Sequence, residues 1–318
     1  MWLLVAAVLA GLILLWRWYR ERQPVPGLSE KFVLITGCDS GFGQQLARQL
    51  DARGLRVLAT CLTEPGAARL RATTSSRLQT IILDVTSSQS IAATAAWVRE
   101  RVGDQGLWGL VNNAGIASPT GLNEWLTRED FAKVLDVNLL GLIEVTLSLL
   151  PLLRRARGRV VNVASILGRV AFYGGGYCIS KFGVEAFSDS LRIEMRSFGV
   201  KVSVIEPGYF KTEITNIENL EKGFLSVWKK VPEEIKATYG ENYFKAFLRT
   251  AKDAEKICSS NLSLVTDCME HALTSRYPRS RYAAGWDAKL LYIPLSYLPS
   301  ALTDFIFARS YPKPARGV

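Results

Sequence analysis

Histidine is almost missing: His271 is the single one in 318 residues. A Ser-His-Asp relay would have to pass through that residue, which lies in the helical-looking stretch DCMEHALTS. Cysteine is sparse too. Cys38, Cys61, Cys178, Cys258 and Cys268 are odd in number and scattered, with no CxxC pair and no histidine at a zinc spacing. That excludes a disulfide framework and a structural zinc. No internal repeat or low-complexity tract is present, which argues against a solenoid or a disordered array. Acidic residues fall short of basic ones, 29 against 39, leaving a net charge of +10. The excess suits an anionic partner: a membrane surface, a nucleic acid or a phosphorylated cofactor.

Charge is absent altogether from Trp2 to Trp16, after which Arg17, Arg20 and Arg22 arrive with Trp18 and Tyr19 between them. As a helix the uncharged run covers roughly 22 Å. The hydrocarbon core is roughly 30 Å thick, so the aromatic belt and snorkelling arginines must extend the span. A cleaved signal peptide would show a basic start and an A-x-A site, and neither is present. Residues 1–22 therefore read as a retained membrane anchor, with membrane lipid as a partner. Arginines on its C-terminal side place the remainder on the cytosolic face. The sequon Asn261-Leu262-Ser263 is usable only on the luminal face.

QPVPGLSE, residues 23–30, is a short linker, and a single catalytic domain is expected over 31–318. Within it apolar runs alternate with helical periodicity. KFVLITG, LRVLATC, TIILDV, LWGLVNNAG, GRVVNVAS and VKVSVIEPG read as strands, and a long helix is expected from about Thr127 to Leu153. Strands without strict polar alternation are buried on both faces, so the expected fold is a doubly wound α/β (Rossmann-type) parallel sheet with helices on both faces. The charged stretch at about 209–281 is expected to form a substrate lid, and 285–311 an apolar segment that faces the membrane.

Thr36-Gly37-Cys38-Asp39-Ser40-Gly41-Phe42-Gly43 follows the first strand and opens the first helix, where a dinucleotide's pyrophosphate rests on backbone N–H groups. Its glycine spacing resembles that of the short-chain dehydrogenase/reductase family. Further matches are Asn112-Asn113-Ala114-Gly115, Asn138 in LDVNLLG, Ser165 twelve residues before Tyr177, Tyr177-x-x-x-Lys181, and the segment Pro207 to Thr212. The resemblance implies Asn138, Ser165, Tyr177 and Lys181 as the catalytic set. Substrate meets Ser165 and Tyr177, and Asn138 supports a water relay. Cofactor contacts are implied at Thr36, Gly37, Ser40, Gly41, Phe42, Gly43, Asp84, Asn112, Ala114, Gly115, Tyr177, Lys181, Pro207, Gly208 and Thr212. A lysine one helical turn from a tyrosine favours the phenolate, which otherwise forms only near pH 10. Gly174, Gly175 and Gly176 are expected to leave open space beside Tyr177 for a bulky alcohol.

The second strand ends LATCLTE, with no Asp for a ribose 2′-OH and no Arg or Lys for a 2′-phosphate, while Asp39 and Glu64 repel extra negative charge. NAD is expected in preference to NADP. GGGYCISK, EAFSDSLR and EHALTSRYPRSRYAAGWDAKLL are similar to membrane-bound (microsomal) retinol and 3α- or 17β-hydroxysteroid dehydrogenases. That likeness implies oxidation of a lipophilic alcohol, a retinoid or a steroid, at the endoplasmic reticulum membrane, in a possible homodimer. No nucleic-acid partner and no metal are expected.

Overall fold

Apolar runs with a side-chain period of two become strands that feed two cores at once. In β1 (Phe32–Ile35), Val33 and Ile35 enter one core while Phe32 and Leu34 enter the other. The computed structural model describes residues 1–172, 174–309 and 311–316. Ser310, in the expected segment 285–311, and Gly317 and Val318, at the end of the expected domain 31–318, lie outside the described residues.

The anchor stretch is helix α1 (Trp2–Glu21), 20 residues long, or about 30 Å at the helical rise. Its C-terminal end carries the length that the uncharged run lacks: Arg20 lies over Trp16, Arg22 over Trp18, and Arg17 bonds Glu21. From β1 the chain alternates through α2 (Gly41–Ala52), β2 (Arg56–Cys61), α3 (Glu64–Arg71), β3 (Gln79–Ile82), α4 (Ser88–Val102) and β4 (Gly109–Asn112). It continues through α5 (Arg128–Leu135), α6 (Leu142–Ala156), β5 (Arg159–Val163), α7 (Gly176–Glu194) and β6 (Lys201–Pro207).

With β7 (Arg281–Ala284), all seven strands are parallel, in the order β3-β2-β1-β4-β5-β6-β7. Strand order reverses between β1 and β4, which opens a crevice at their C-terminal ends. Leu46 and Leu50 of α2 and Leu70 of α3 cover one face of the sheet; Val98 of α4, Leu149 of α6 and Leu191 of α7 cover the other. The expected long helix is α5 and α6 joined by one π-turn, Asp136–Gly141. Thr127 and Asp130 form a capping box at its start. Arg128–Ala156 is also apolar and long enough to cross a membrane, but it packs as a layer of this fold.

The stretch after β6 divides. α8 (Ile217–Lys230), α9 (Glu233–Tyr239) and α10 (Glu241–Lys256), in the stretch expected to be the lid, pack around Trp125. α11 (Ser263–Thr274) and β7 (Arg281–Ala284) instead belong to the sheet layers, so the lid ends earlier than position 281. The reason is α11's apolar face: Val265, Met269, Ala272 and Leu273 are fully buried against the strands. α12 (Ile293–Leu295) and α13 (Ser300–Ala308) follow, with a bend of 119° between the α12 and α13 arms. Leu290, Tyr297 and Phe305 are exposed there, while Phe307 stacks on Phe172 at 4.6 Å and Tyr311 packs against the cluster around Trp125.

Candidate active site

A cleft of about 540 Å³ runs along the C-terminal ends of the central strands. Gly37 has φ +69°, and a Cβ there would stand 2.9 Å from Ala114 Cα, so only glycine lets the β1 and β4 loops touch. Asn113 Nδ2 donates to Thr36 O and Gly37 O at 2.9 and 3.0 Å, and Thr36 Oγ1 accepts from the N–H groups of Asn113 and Ala114 at 3.0 Å. Thr36 and Asn112 thus work behind the wall; Asn112 bonds Thr146 Oγ1 and Asn162 Oδ1 in the core. Gly43 also sits behind it, where a Cβ would strike Gly37 O. These three expected cofactor contacts support the loop and do not line the cleft.

Gly37, Ser40, Gly41, Phe42, Asp84, Ala114, Gly115, Ser165, Tyr177, Lys181, Pro207, Gly208 and Thr212 do line it. Ser40 is the N-cap of α2 yet makes no side-chain cap, so the first N–H groups of that helix are left for a ligand. The open side of Gly41 is roofed only by Thr212, 3.6 Å from where a Cβ would be. This glycine cradle, a helix N-terminus and a cleft of that volume fit a dinucleotide.

Further residues shape the cleft. Asp39 accepts from Leu62 N, Thr63 N and Thr63 Oγ1 at 2.7, 3.0 and 2.7 Å, fastening the glycine loop to the end of β2. Arg69, a turn into α3, also lines the cleft, so a cation does stand near the β2 end. Asp287 accepts from Tyr209 N at 2.7 Å and holds the 207–212 loop from 78 residues away. Only folding brings it there.

The catalytic candidates split in the same way. Ser165 ends β5 and accepts from Leu167 N at 3.1 Å, and its hydroxyl also bonds that of Tyr177. Lys181 is 4% exposed; its Nζ donates to Val163 O at 2.8 Å and lies 5.6 Å from the centre of the Tyr177 ring. Asn138 is fully buried and off the wall. Its side chain clamps Ile116, accepting from Ile116 N at 2.8 Å and donating to Ile116 O at 2.9 Å, and it donates to Ser180 Oγ at 3.1 Å. Those bonds make Asn138 the strut beneath Gly115, where a Cβ would stand 3.2 Å from Asn138 Oδ1.

Burial pushes the Tyr177 phenol up to about 12, against a smaller downward pull from Ser165. Burial pushes Lys181 down to about 8, opposed by the field of Glu185. Burial thus disfavours the charged form of both groups, moving the phenol further from ionisation and the ammonium closer to neutrality. Gly174 lines the pocket beside Tyr177, but a side chain at any of the three glycines would meet its neighbours. A Cβ at Gly174 would strike Gly121 O, one at Gly176 would stand 2.9 Å from Val134 Cβ, and Gly175 has φ +87°. They let the chain entering α7 lie against the 120–134 segment, and that contact sets the place of Tyr177. His271 lies elsewhere, bonded to Tyr282 Oη and Glu21 O at 2.8 and 2.9 Å.

Residues 31–223 match the family model described as short chain dehydrogenase. The chain belongs to the short-chain dehydrogenase family. It is an oxidoreductase of that type, and the family's cofactor is a nicotinamide dinucleotide. This dehydrogenase is 63% identical to 17-beta-hydroxysteroid dehydrogenase type 6 of Homo sapiens, over 100% of both chains. It is 61% identical to Retinol dehydrogenase 16 of Homo sapiens, again over 100% of both. Among solved structures, a short-chain dehydrogenase from Streptomyces avermitilis superposes with a TM-score of 0.68 at 27% identity, covering 88% of this chain and 97% of that one.

Proposed function

We propose that this dehydrogenase oxidises a lipophilic secondary or allylic alcohol, retinol to retinal, with NAD as cofactor, at the endoplasmic reticulum membrane. The observation that carries the reading is where two spaces meet. Ser165 and Tyr177 line both the cleft and a narrower, mainly apolar pocket of about 140 Å³. Leu220 and Phe224 of α8 and Ala251 and Ala254 of α10 close that pocket from the lid side. An apolar pocket with its few polar groups at one end orients an alcohol by its oxygen.

Gly37, Ser40, Gly41, Ala114 and Thr212 hold the cofactor, which when bound supplies the hydride acceptor. Ser165 holds the alcohol oxygen by a hydrogen bond, and Tyr177 takes its proton. Because a phenol is protonated at neutral pH and burial raises it further, oxidation needs positive charge beside Tyr177; Lys181 supplies one such charge from beneath the ring. NAD is supported by Asp39 and Glu64 at the end of β2, while Arg69 is the cation on that wall that favours NADP. Exposed Leu140 and Leu147 on the α5–α6 helix are apolar surface available to a second copy. α1 and the exposed apolar residues of α12–α13 support membrane attachment, with the domain on the cytosolic face.

A second reading, a 3α- or 17β-hydroxysteroid dehydrogenase, is supported by the hydroxysteroid relative and by Thr120 on the same pocket wall, which offers a partner to a second oxygen. Turnover of retinol and of 3α- and 17β-hydroxysteroids by microsomes containing the full chain, with NAD and NADP in parallel, separates the readings. Retinol with NAD should show the highest kcat/KM. A higher value for a hydroxysteroid, or for NADP, would overturn the corresponding half of the proposal.

A further inference from the structure

Five cations gather on the edge of the sheet opposite the cleft. Lys31 precedes β1, Trp108 precedes β4, Arg159 opens β5 and Lys201 opens β6, and these four strands are consecutive in the sheet. Arg276 follows α11, and Arg20 arrives from α1. Two aromatic faces organise them. Lys31 and Arg159 lie 3.9 and 4.7 Å from the centre of the Trp108 ring. Arg20, Arg276 and Lys201 lie 4.1, 5.7 and 5.9 Å from that of Tyr277.

Among the described residues, none of the five is ion-paired with a carboxylate, whereas neighbouring Arg17 and Arg279 are both committed to Glu21. Arg159 is 4% exposed, and its Nε is buried without a hydrogen-bond partner. Its guanidinium reaches only Ser275 O, at 3.3 Å. Lys201 is lowered by burial first and then by Arg159, Arg20 and Arg276, so the cluster repels itself. Uncompensated, partly desolvated positive charge of this density attracts an anion.

We propose that this collar binds the phosphate of an anionic phospholipid headgroup in the leaflet where α1 emerges. The inference rests on reading α1 as a membrane anchor. Arg20 stands in the last turn of α1, at headgroup depth for a helix that starts in hydrocarbon. The junction is held firmly: Val25 N donates to Thr274 O and Arg276 N to Gln23 O, each at 2.8 Å, and Ser275 Oγ donates to Glu21 O at 2.9 Å. A headgroup beside Arg20 therefore also stands beside Lys201 and Arg276, which share the Tyr277 ring with it, while buried Arg159 adds its field from behind. Basic clusters next to a membrane helix select anionic lipid, and aromatic faces hold such cations without neutralising them.

The test uses the purified full chain in neutral detergent. Dioctanoyl phosphatidylserine should raise Tm by about 2–4 °C, since a ligand of the native state stabilises it by mass action. Dioctanoyl phosphatidylcholine and inorganic phosphate should leave Tm unchanged. Lys201→Gln with Arg276→Gln, both exposed positions remote from the cleft, should abolish the shift while turnover of a water-soluble alcohol stays at the wild-type level. Equal shifts with inorganic phosphate, no shift at all, or a shift that survives in the double variant would each overturn the proposal. Flotation with pure phosphatidylcholine vesicles tests the anchor separately: wild type and double variant should both float, and failure there removes the anchor reading instead.

Discussion

The floor of the cleft and its lid are built from different physics. The floor is backbone held to backbone: glycines without side chains let the β1 and β4 loops meet, and Thr36, Asn113 and Asn138 lace them with directional hydrogen bonds. The lid is ring against ring. Trp125 sits at its centre, with Trp228 at 4.8 Å, Tyr239 at 5.4 Å, Phe247 at 5.6 Å and Phe244 at 6.1 Å between ring centres. Directional bonds fix a phosphate cradle to a fraction of an ångström, while an apolar cluster sets a pocket's size and leaves its contents unspecified. The glycine-loop side therefore carries a signature in the sequence, and the side closed by the aromatic cluster carries none.

The sharpest break falls where floor and lid share residues. Tyr177→Phe should lower kcat by about 10³-fold or more while the Kd for NAD, read by fluorescence titration, stays close to wild type; an active Phe variant would sink the proposed chemistry. Gly43→Val then strikes the floor alone. Its side chain meets Gly37 O and Asn113 Nδ2, so dinucleotide affinity should fall by about 100-fold. Cofactor loss with an unchanged KM for alcohol separates the two regions, and equal damage to both would show that they move as one.

Trp125→Ala strikes the lid. Removing a buried aromatic hub costs about 3–5 kcal/mol. Limited proteolysis should then cut within 217–256 before it cuts the sheet, with KM for retinol raised and NAD binding intact. If the lid resists protease as before, the aromatic cluster is not what holds it.

The smallest effect is in the pH dependence of stability. Lys181 is lowered from 10.5 to about 8, so between those values the unfolded chain binds more protons than the native one, and stability rises with pH across that window. Tyr177 is raised from 10.0 to about 12, so its contribution runs the other way and is lost only above pH 10. Thermal melts of Lys181→Met should show a flatter rise from pH 8 to 10, and an unaltered slope would assign the titration to another group.

Much of the floor was legible in the chain itself. Strand runs, the glycine loop, Asn112 to Gly115, Ser165 and the Tyr177–Lys181 spacing are local patterns, and each stands where its neighbours in sequence put it. The lid boundary was not, because α11 and the lid helices share a helical texture; what separates them is which face meets the sheet. The space expected at Gly174 to Gly176 is there only in part: Gly174 lines the pocket beside Tyr177, while a side chain at Gly175 or Gly176 would meet Leu126 or Val134. A glycine's missing side chain reads as space until the opposing backbone, here Gly121 and Phe131, is seen to fill it. Arg69 and Asp287 carried no signal, and the bonds of Asp39 to Leu62 and Thr63 carried none, since these partners or the cleft wall lie across loops or far along the chain.

What the sequence determined by itself is the order of elements, the cofactor loop and the reacting pair, because backbone conformation and i,i+4 spacing are local properties. Tertiary structure alone decided that Asn138 is a strut, that burial raises the Tyr177 phenol, and that Lys31, Arg159, Lys201, Arg276 and Arg20 share one edge. Each of these depends on desolvation or on charges meeting through space, and such energies exist only once distant segments have been brought together.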